Sequence, residues 1–153
     1  MKISDVTKHK ASQEVVTVSP DATVADLVAL LDDHGIGAVV VSNDGARVEG
    51  IVSERDVVRR LHAVGGDVLA LRVSAIMTGE VHTCAADDPV EELAGVMTRK
   101  RFRHVPVVED GRLTGIVSIG DVVKRRIDEL EFERDQLDTY VRQTDRAPHQ
   151  PAR

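Results

Sequence analysis

A chain of 153 residues is long enough for one compact domain, or for two small halves sharing a core. Its formal charge of −6 argues against general nucleic-acid binding, which needs cations to neutralise phosphates, and its three aromatics (Phe102, Phe132, Tyr140) offer single-stranded bases little to stack on. The sequence holds no apolar run of roughly 18 residues that could span a membrane. Its start, Met1-Lys2-Ile3-Ser4-Asp5, lacks the apolar stretch of a secretory leader, and the lone Cys84 rules out an internal disulfide and fits a reducing cytoplasm.

Residues 2–7 resemble 72–77 in pattern, and residues 8–14 are polar and read as a loop. Val15 to Val18 read as a strand broken by Ser19-Pro20-Asp21. Thr23, with Asp26 three residues on, opens a helix whose Val24, Leu27, Val28 and Leu31 share one face, and His34-Gly35 closes it. Ala38 to Val41 and Val48 to Val52 then form a hairpin around Asn43-Asp44-Gly45, and Ser53 opens a helix to about His62. Gly65-Gly66 reads as a hinge, followed by a helical stretch around 67–77. The pattern then returns with an offset of 66: Thr83 answers Thr17, Val90 answers Val24, Leu93 answers Leu27, and Val105 to Val108 answer Val39 to Ser42. Pro89 sits at a helix start, where its missing N–H costs nothing. One residue is lost in the second turn, after which Gly50-Ile51-Val52-Ser53-Glu54-Arg55-Asp56-Val57-Val58 is matched by Gly115-Ile116-Val117-Ser118-Ile119-Gly120-Asp121-Val122-Val123 at seven of nine positions. A register that survives a gap and resumes in this way is a duplication.

The last helix does not stop where its counterpart does. From Asp121 to about Gln143 no Gly or Pro interrupts it, and Val123, Ile127, Leu130, Leu137 and Val141 make a narrow apolar seam with Arg134 at one heptad position. Such a seam is expected to pack on a partner rather than fold back on its own domain. Residues 144–153, with two Pro, are expected to be disordered. The chain therefore divides into a first repeat at 1–64, a second at 65–127, a helical extension at 128–143 and a tail.

A duplicated strand–helix–strand–strand–helix unit with Gly-Ile-Val-Ser-x-x-Asp at its last strand-to-helix junction resembles the CBS domain pair, or Bateman module, over about residues 1–127. Arg103-His104-Val105-Pro106-Val107-Val108 and the long last helix are similar to small bacterial and plant-mitochondrial CBS-pair proteins. The resemblance implies an α/β fold of two small three-stranded sheets flanked by helices about a pseudo-twofold axis. It also implies two clefts for adenosyl ligands: AMP, ATP, NAD(H) or S-adenosylmethionine. A Ser at a helix N-cap presents a hydroxyl and free N–H groups to phosphate, and an Asp one turn in can accept both ribose hydroxyls. By resemblance, one cleft joins Thr17, Ile36, Gly37 and Ala38 to Ile116, Ser118 and Asp121. The other joins Thr83, Phe102, Arg103 and His104 to Ile51, Ser53, Arg55 and Asp56. Ser-x-x-Asp is also close to a capping box, a helix-start device that needs no ligand.

Three functions compete. A regulatory module would bind an adenine nucleotide and signal to an effector protein; a structural subunit would work through the last helix with empty clefts; an enzyme would need a catalytic set. No Ser/His/Asp triad, Walker-type glycine loop or acid pair is evident, Asp87-Asp88 and Glu91-Glu92 read as charge at a helix start, and His82 with Cys84 lacks a second ligand pair for a metal. A homodimer is expected, because flanking helices with exposed Val and Leu cannot all be covered within one pair of repeats.

Overall fold

The computed structural model describes residues 1–8 and 15–146. In chain order the elements are α1 (Ile3–Thr7), β1 (Thr17–Val18), α2 (Val24–His34), β2 (Ala38–Val41), β3 (Gly50–Ser53) and α3 (Glu54–Val64). Two 3₁₀ turns follow at Gly65–Ala70 and Val73–Ala75, and then α4 (Val90–Lys100), β4 (His104–Glu109), β5 (Arg112–Ser118) and α5 (Ile119–Asp145). The stretch expected to be helical around 67–77 is therefore two short turns. The loop expected at 8–14 lies, from residue 9, outside the described residues, as does the expected tail from residue 147; the last helix runs two residues past Gln143.

Helix α2 begins and ends as its sequence dictates. Thr23 Oγ1 accepts the Asp26 N–H at 3.1 Å, Asp26 returns the bond to the Thr23 N–H at 3.2 Å, and Gly35 closes the helix in the left-handed region at φ 61°. Val24, Leu27 and Leu31 are buried on one face, while Val28, expected with them, is 40% exposed at its edge.

The first sheet has three strands in the order β1-β2-β3, with β1 parallel and β3 antiparallel to β2. The second has two, β4 and β5, and its third strand is reduced to one residue, Cys84, bridged to Val107. This departs from the expected pair of three-stranded sheets, and Pro106 supplies the reason. It stands where the first repeat has Val40. Its carbonyl accepts the Cys84 N–H at 3.0 Å, but with no N–H of its own it cannot extend the ladder back to Thr83.

Two apolar cores result, and they match almost residue for residue. Val18, Val24, Leu27, Leu31, Val39, Val41 and Val52 fill the first; Cys84, Val90, Leu93, Met97, Val105, Val107 and Val117 fill the second. The short segments ahead of each repeat are exchanged between them. Ile3 and Val6 pack in the second core, while Val73 and Ile76 pack in the first. The backbone bonds repeat the exchange: Val24 N–H donates to Leu71 O and Val73 N–H to Ala22 O, as Val90 N–H donates to Met1 O and Ile3 N–H to Asp88 O. The cores thus cross the division of the chain at 64/65. Val40 points to the opposite face of its sheet from Val39 and Val41 and is still fully buried, so that face too is covered.

Candidate functional site

Both copies of Ser-x-x-Asp sit where a strand becomes a helix. Ser53 caps α3: its hydroxyl accepts the Asp56 N–H at 3.4 Å, and Asp56 Oδ2 accepts the Ser53 N–H at 2.8 Å and the Ser53 hydroxyl at 3.1 Å. Ser118 caps α5 likewise, accepting the Asp121 N–H at 3.1 Å while Asp121 Oδ2 accepts the Ser118 N–H at 2.9 Å. Each is a complete capping box, so the structural role weighed for these residues is present in both. The cap of Asp56 uses Oδ2 twice, and its second oxygen takes no part in it.

The strand starts are tied to the same caps. Ala38 lies opposite Ser53 in the β2–β3 register and His104 opposite Ser118 in the β4–β5 register. Glu54 N–H donates to Gly37 O at 2.9 Å, and Ile119 N–H to Arg103 O at 2.8 Å. Within each repeat, therefore, the residues expected to hold a base and those expected to hold phosphate and ribose meet at one corner. The repeats meet each other at Gly37. A Cβ there would lie 3.3 Å from Glu54 Oε1 and 3.7 Å from His104 Cε1, so the absent side chain makes room for both. Gly37 and His104 were assigned to different clefts, and they form a common border.

The other expected residues are spread over both repeats. Thr17 pairs with Val40 and is half-buried, and Ile36 packs against the first core while also lining a groove of about 430 Å³ between α2 and α3. Ile51 exchanges both backbone bonds with Thr78, at 3.0 and 2.9 Å, so its main chain is committed to the exchanged segment. Ile116 is half-buried in β5. Phe102 packs on the second core with the His82 ring 5.9 Å away and tilted 31° to it. Thr83, Arg103 and Arg55 are exposed. Arg99 and Lys100 form the solvated last turn of α4, with Arg101 as its left-handed cap at φ 59°. Among the described residues no group of three or more His, Cys, Asp or Glu is placed to hold a metal. Burial pushes the Cys84 thiol up to about 12, and its Sγ lies 3.7 Å from Pro106 O in the second core.

Glu54 is the residue the sequence reading passed over. Its carboxylate reaches the border between the repeats, and the signal was available: Glu54/Ile119 and Arg55/Gly120 are the two positions at which the nine-residue motifs differ.

Comparison with known proteins fits this geometry. The CBS domain family model matches residues 3–63 and 73–128. The CBS domain-containing protein CBSX3, mitochondrial, of Arabidopsis thaliana is 36% identical over 146 residues, covering 91% of this chain and 71% of its own length. A CBS-domain containing protein of Agrobacterium tumefaciens is 45% identical, with a TM-score of 0.78 over 82% of this chain and 99% of that one. A CBS domain pair solved in complex with 5′-methylthioadenosine and S-adenosyl-L-methionine shares the fold at 24% identity, with a TM-score of 0.73 over 84% of this chain and 98% of its own. The chain belongs to the CBS domain family, as a tandem pair of CBS repeats.

Proposed function

We propose that this CBS pair is a regulatory module that binds an adenosyl ligand of the AMP, ATP, NAD(H) or S-adenosylmethionine type, does not consume it, and signals its occupancy to an effector protein. The observation that carries the reading is the doubled Ser-x-x-Asp corner. In both repeats a hydroxyl at the positive end of a helix and a carboxylate one turn in are held together beside a strand start. Phosphate oxygens are well received at such a helix end, and the carboxylate suits ribose hydroxyls. A neighbour of the same fold that holds two adenosyl compounds supports the ligand class. The approach of Gly37 to His104 supports clefts that draw on both repeats. Accordingly, Thr17, Ile36, Gly37 and Ala38 work with Ile116, Ser118 and Asp121, and Thr83, Phe102, Arg103 and His104 work with Ile51, Ser53, Arg55 and Asp56.

The module acts as a homodimer joined through the apolar helical surface that the fold leaves exposed, and the free thiol of Cys84 fits the reducing cytoplasm. Among the described residues no helix is long and apolar enough to cross a membrane. Calorimetry with AMP, ATP, NADH and S-adenosylmethionine tests the binding: heat and saturation with at least one are expected, and silence with all four at millimolar ligand removes the proposal. Turnover of a bound nucleotide would make the protein an enzyme instead. The exposed length of α5 favours one second reading, a structural subunit working through that helix with empty clefts, and the same silent titration would support it.

A further inference from the structure

Seven of the twelve large apolar side chains exposed among the described residues lie on α5. That helix has 27 residues where its counterpart α3 has 11, so its last 16 residues, about 24 Å at 1.5 Å per residue, have no equivalent in the first repeat. The seam read from the sequence is not folded back on the body: Val123 and Ile127 are 50% exposed, Leu137 65% and Val141 55%. A stripe this narrow suits one partner helix.

We propose that α5 pairs with α5 of a second copy, antiparallel, about a twofold axis near residues 135 and 136. The heptad register then sets Leu130 opposite Val141 of the second copy, Arg134 opposite Leu137 and Ile127 opposite Thr144. Charge decides the direction. In a parallel pair Arg126 flanks Glu131 favourably, but each seam residue meets itself, so Arg134 faces Arg134 in the middle of the seam and Glu133 flanks Asp138. In the antiparallel pair the Arg134 stem lies over Leu137, and its guanidinium is within one residue's rise, about 1.5 Å, of the level of Asp138 of the second copy. Lys124 lies within two residues' rise of the level of Asp145. Each contact occurs twice by symmetry, giving four pairs of opposite charge, and on the edge where Glu131 of one copy nears Asp138 of the other the two Arg134 side chains supply the compensating charge. The present bond of Arg134 to Asp135, 3.3 Å between exposed side chains, holds it only weakly against this exchange.

The inference rests on the homodimer reading above and is independent of nucleotide binding. Light scattering of the full chain is expected to give twice 16.7 kDa at micromolar concentration. Leu137→Glu is expected to give a monomer of unchanged circular dichroism, since it alters no core residue. Arg134→Glu is expected to weaken the dimer at least about tenfold, and Arg134→Glu with Asp138→Arg to recover most of that loss. On mild oxidation the double variant Leu130→Cys, Val141→Cys is expected to cross-link between copies. Val141→Cys alone is not, because its two copies stand 11 residues, about 16 Å, apart along the axis. A monomeric wild type overturns both the homodimer and the seam. A dimer that survives Leu137→Glu keeps the homodimer and overturns the seam, and a cross-link in Val141→Cys alone overturns the antiparallel direction.

Discussion

Gly50 and Gly115 occupy the same place in the two repeats, and Gly→Ala at each should have opposite effects. At Gly50 an added Cβ would lie 2.6 Å from Met77 Sδ and 2.9 Å from Thr78 O. The Met77 side chain can swing aside, but the Thr78 carbonyl cannot, because Thr78 exchanges two backbone bonds with Ile51 next door. Making room means overpacking, which costs about 1–3 kcal/mol, or giving up one of those bonds at about 0.5–1.5 kcal/mol. At Gly115 the nearest atoms, of Thr7 and Val107, are 3.8 Å away, an ordinary contact. Neither glycine has a positive φ, so Ala there also restricts the unfolded chain and is worth about 0.4–1 kcal/mol in favour of folding. Gly50→Ala should therefore destabilise by about 1–2 kcal/mol and Gly115→Ala should be neutral or stabilising. Urea denaturation read by circular dichroism measures both, with equal m-values as the control for two-state unfolding. Equal costs at the two positions, or a neutral Gly50→Ala, would refute the packing of the exchanged segment described above.

Asp56→Asn should weaken nucleotide binding roughly 10- to 100-fold by loss of a charge-assisted hydrogen bond, while the amide oxygen keeps the cap; Asp56→Ala should lose about 1 kcal/mol of stability as well, measured by calorimetry and denaturation together. Asp121→Asn and Asp121→Ala should do the same at the other cleft. Cys84 should resist iodoacetamide in the folded protein at pH 8, where only about one thiol in ten thousand is ionised, and should react on unfolding; rapid labelling of the native state would contradict its burial. Because its folded pKa is raised from 9.0 to about 12, the unfolded chain loses that proton first, so the thiol's contribution to stability is intact below pH 9 and lost between pH 9 and 12, a loss Cys84→Ala should remove.

Most of the architecture was legible because the chain states it twice. The apolar positions of Val24, Leu27 and Leu31 recur as Val90, Leu93 and Met97, and both sets are buried. What stayed hidden was three-dimensional partnership. The likeness of residues 2–7 to 72–77 shows that a segment precedes each repeat, but not that each packs in the other's core, since period and spacing carry no information about which of two equivalent surfaces a segment meets. Pro106 could have warned that the third strand of the second sheet would shrink, because a missing N–H is readable from sequence. The sequence could mark Glu54 as a point of difference between the repeats but not place it, for its position depends on how closely the two repeats approach at Gly37.

That approach sharpens the difference between the clefts. The proposed cross-repeat geometry gathers Arg55, Arg103 and His104 at the cleft of Asp56, while the cleft of Asp121 has Gly37, Ala38, Ile119 and Gly120 in the matching places. Glu54 adds a carboxylate at the common border, beside Gly37 and the His104 ring. A ligand carrying more phosphate should then prefer the Asp56 cleft, and Arg103, able to bond phosphate through two N–H groups at once, should carry most of the preference. Binding of ATP and AMP to wild type, Arg103→Ala, Asp121→Ala and Glu54→Gln measures this directly. The preference for ATP over AMP should fall roughly tenfold or more in Arg103→Ala, the order expected for one charge-assisted contact, and should survive in Asp121→Ala. Glu54→Gln should raise ATP affinity by removing a like charge from the border of the clefts. The reverse pattern, with the preference lost in Asp121→Ala and intact in Arg103→Ala, would mean that phosphates point toward the neutral cleft. The cross-repeat assignment would then fall, even if both corners still bound a nucleotide.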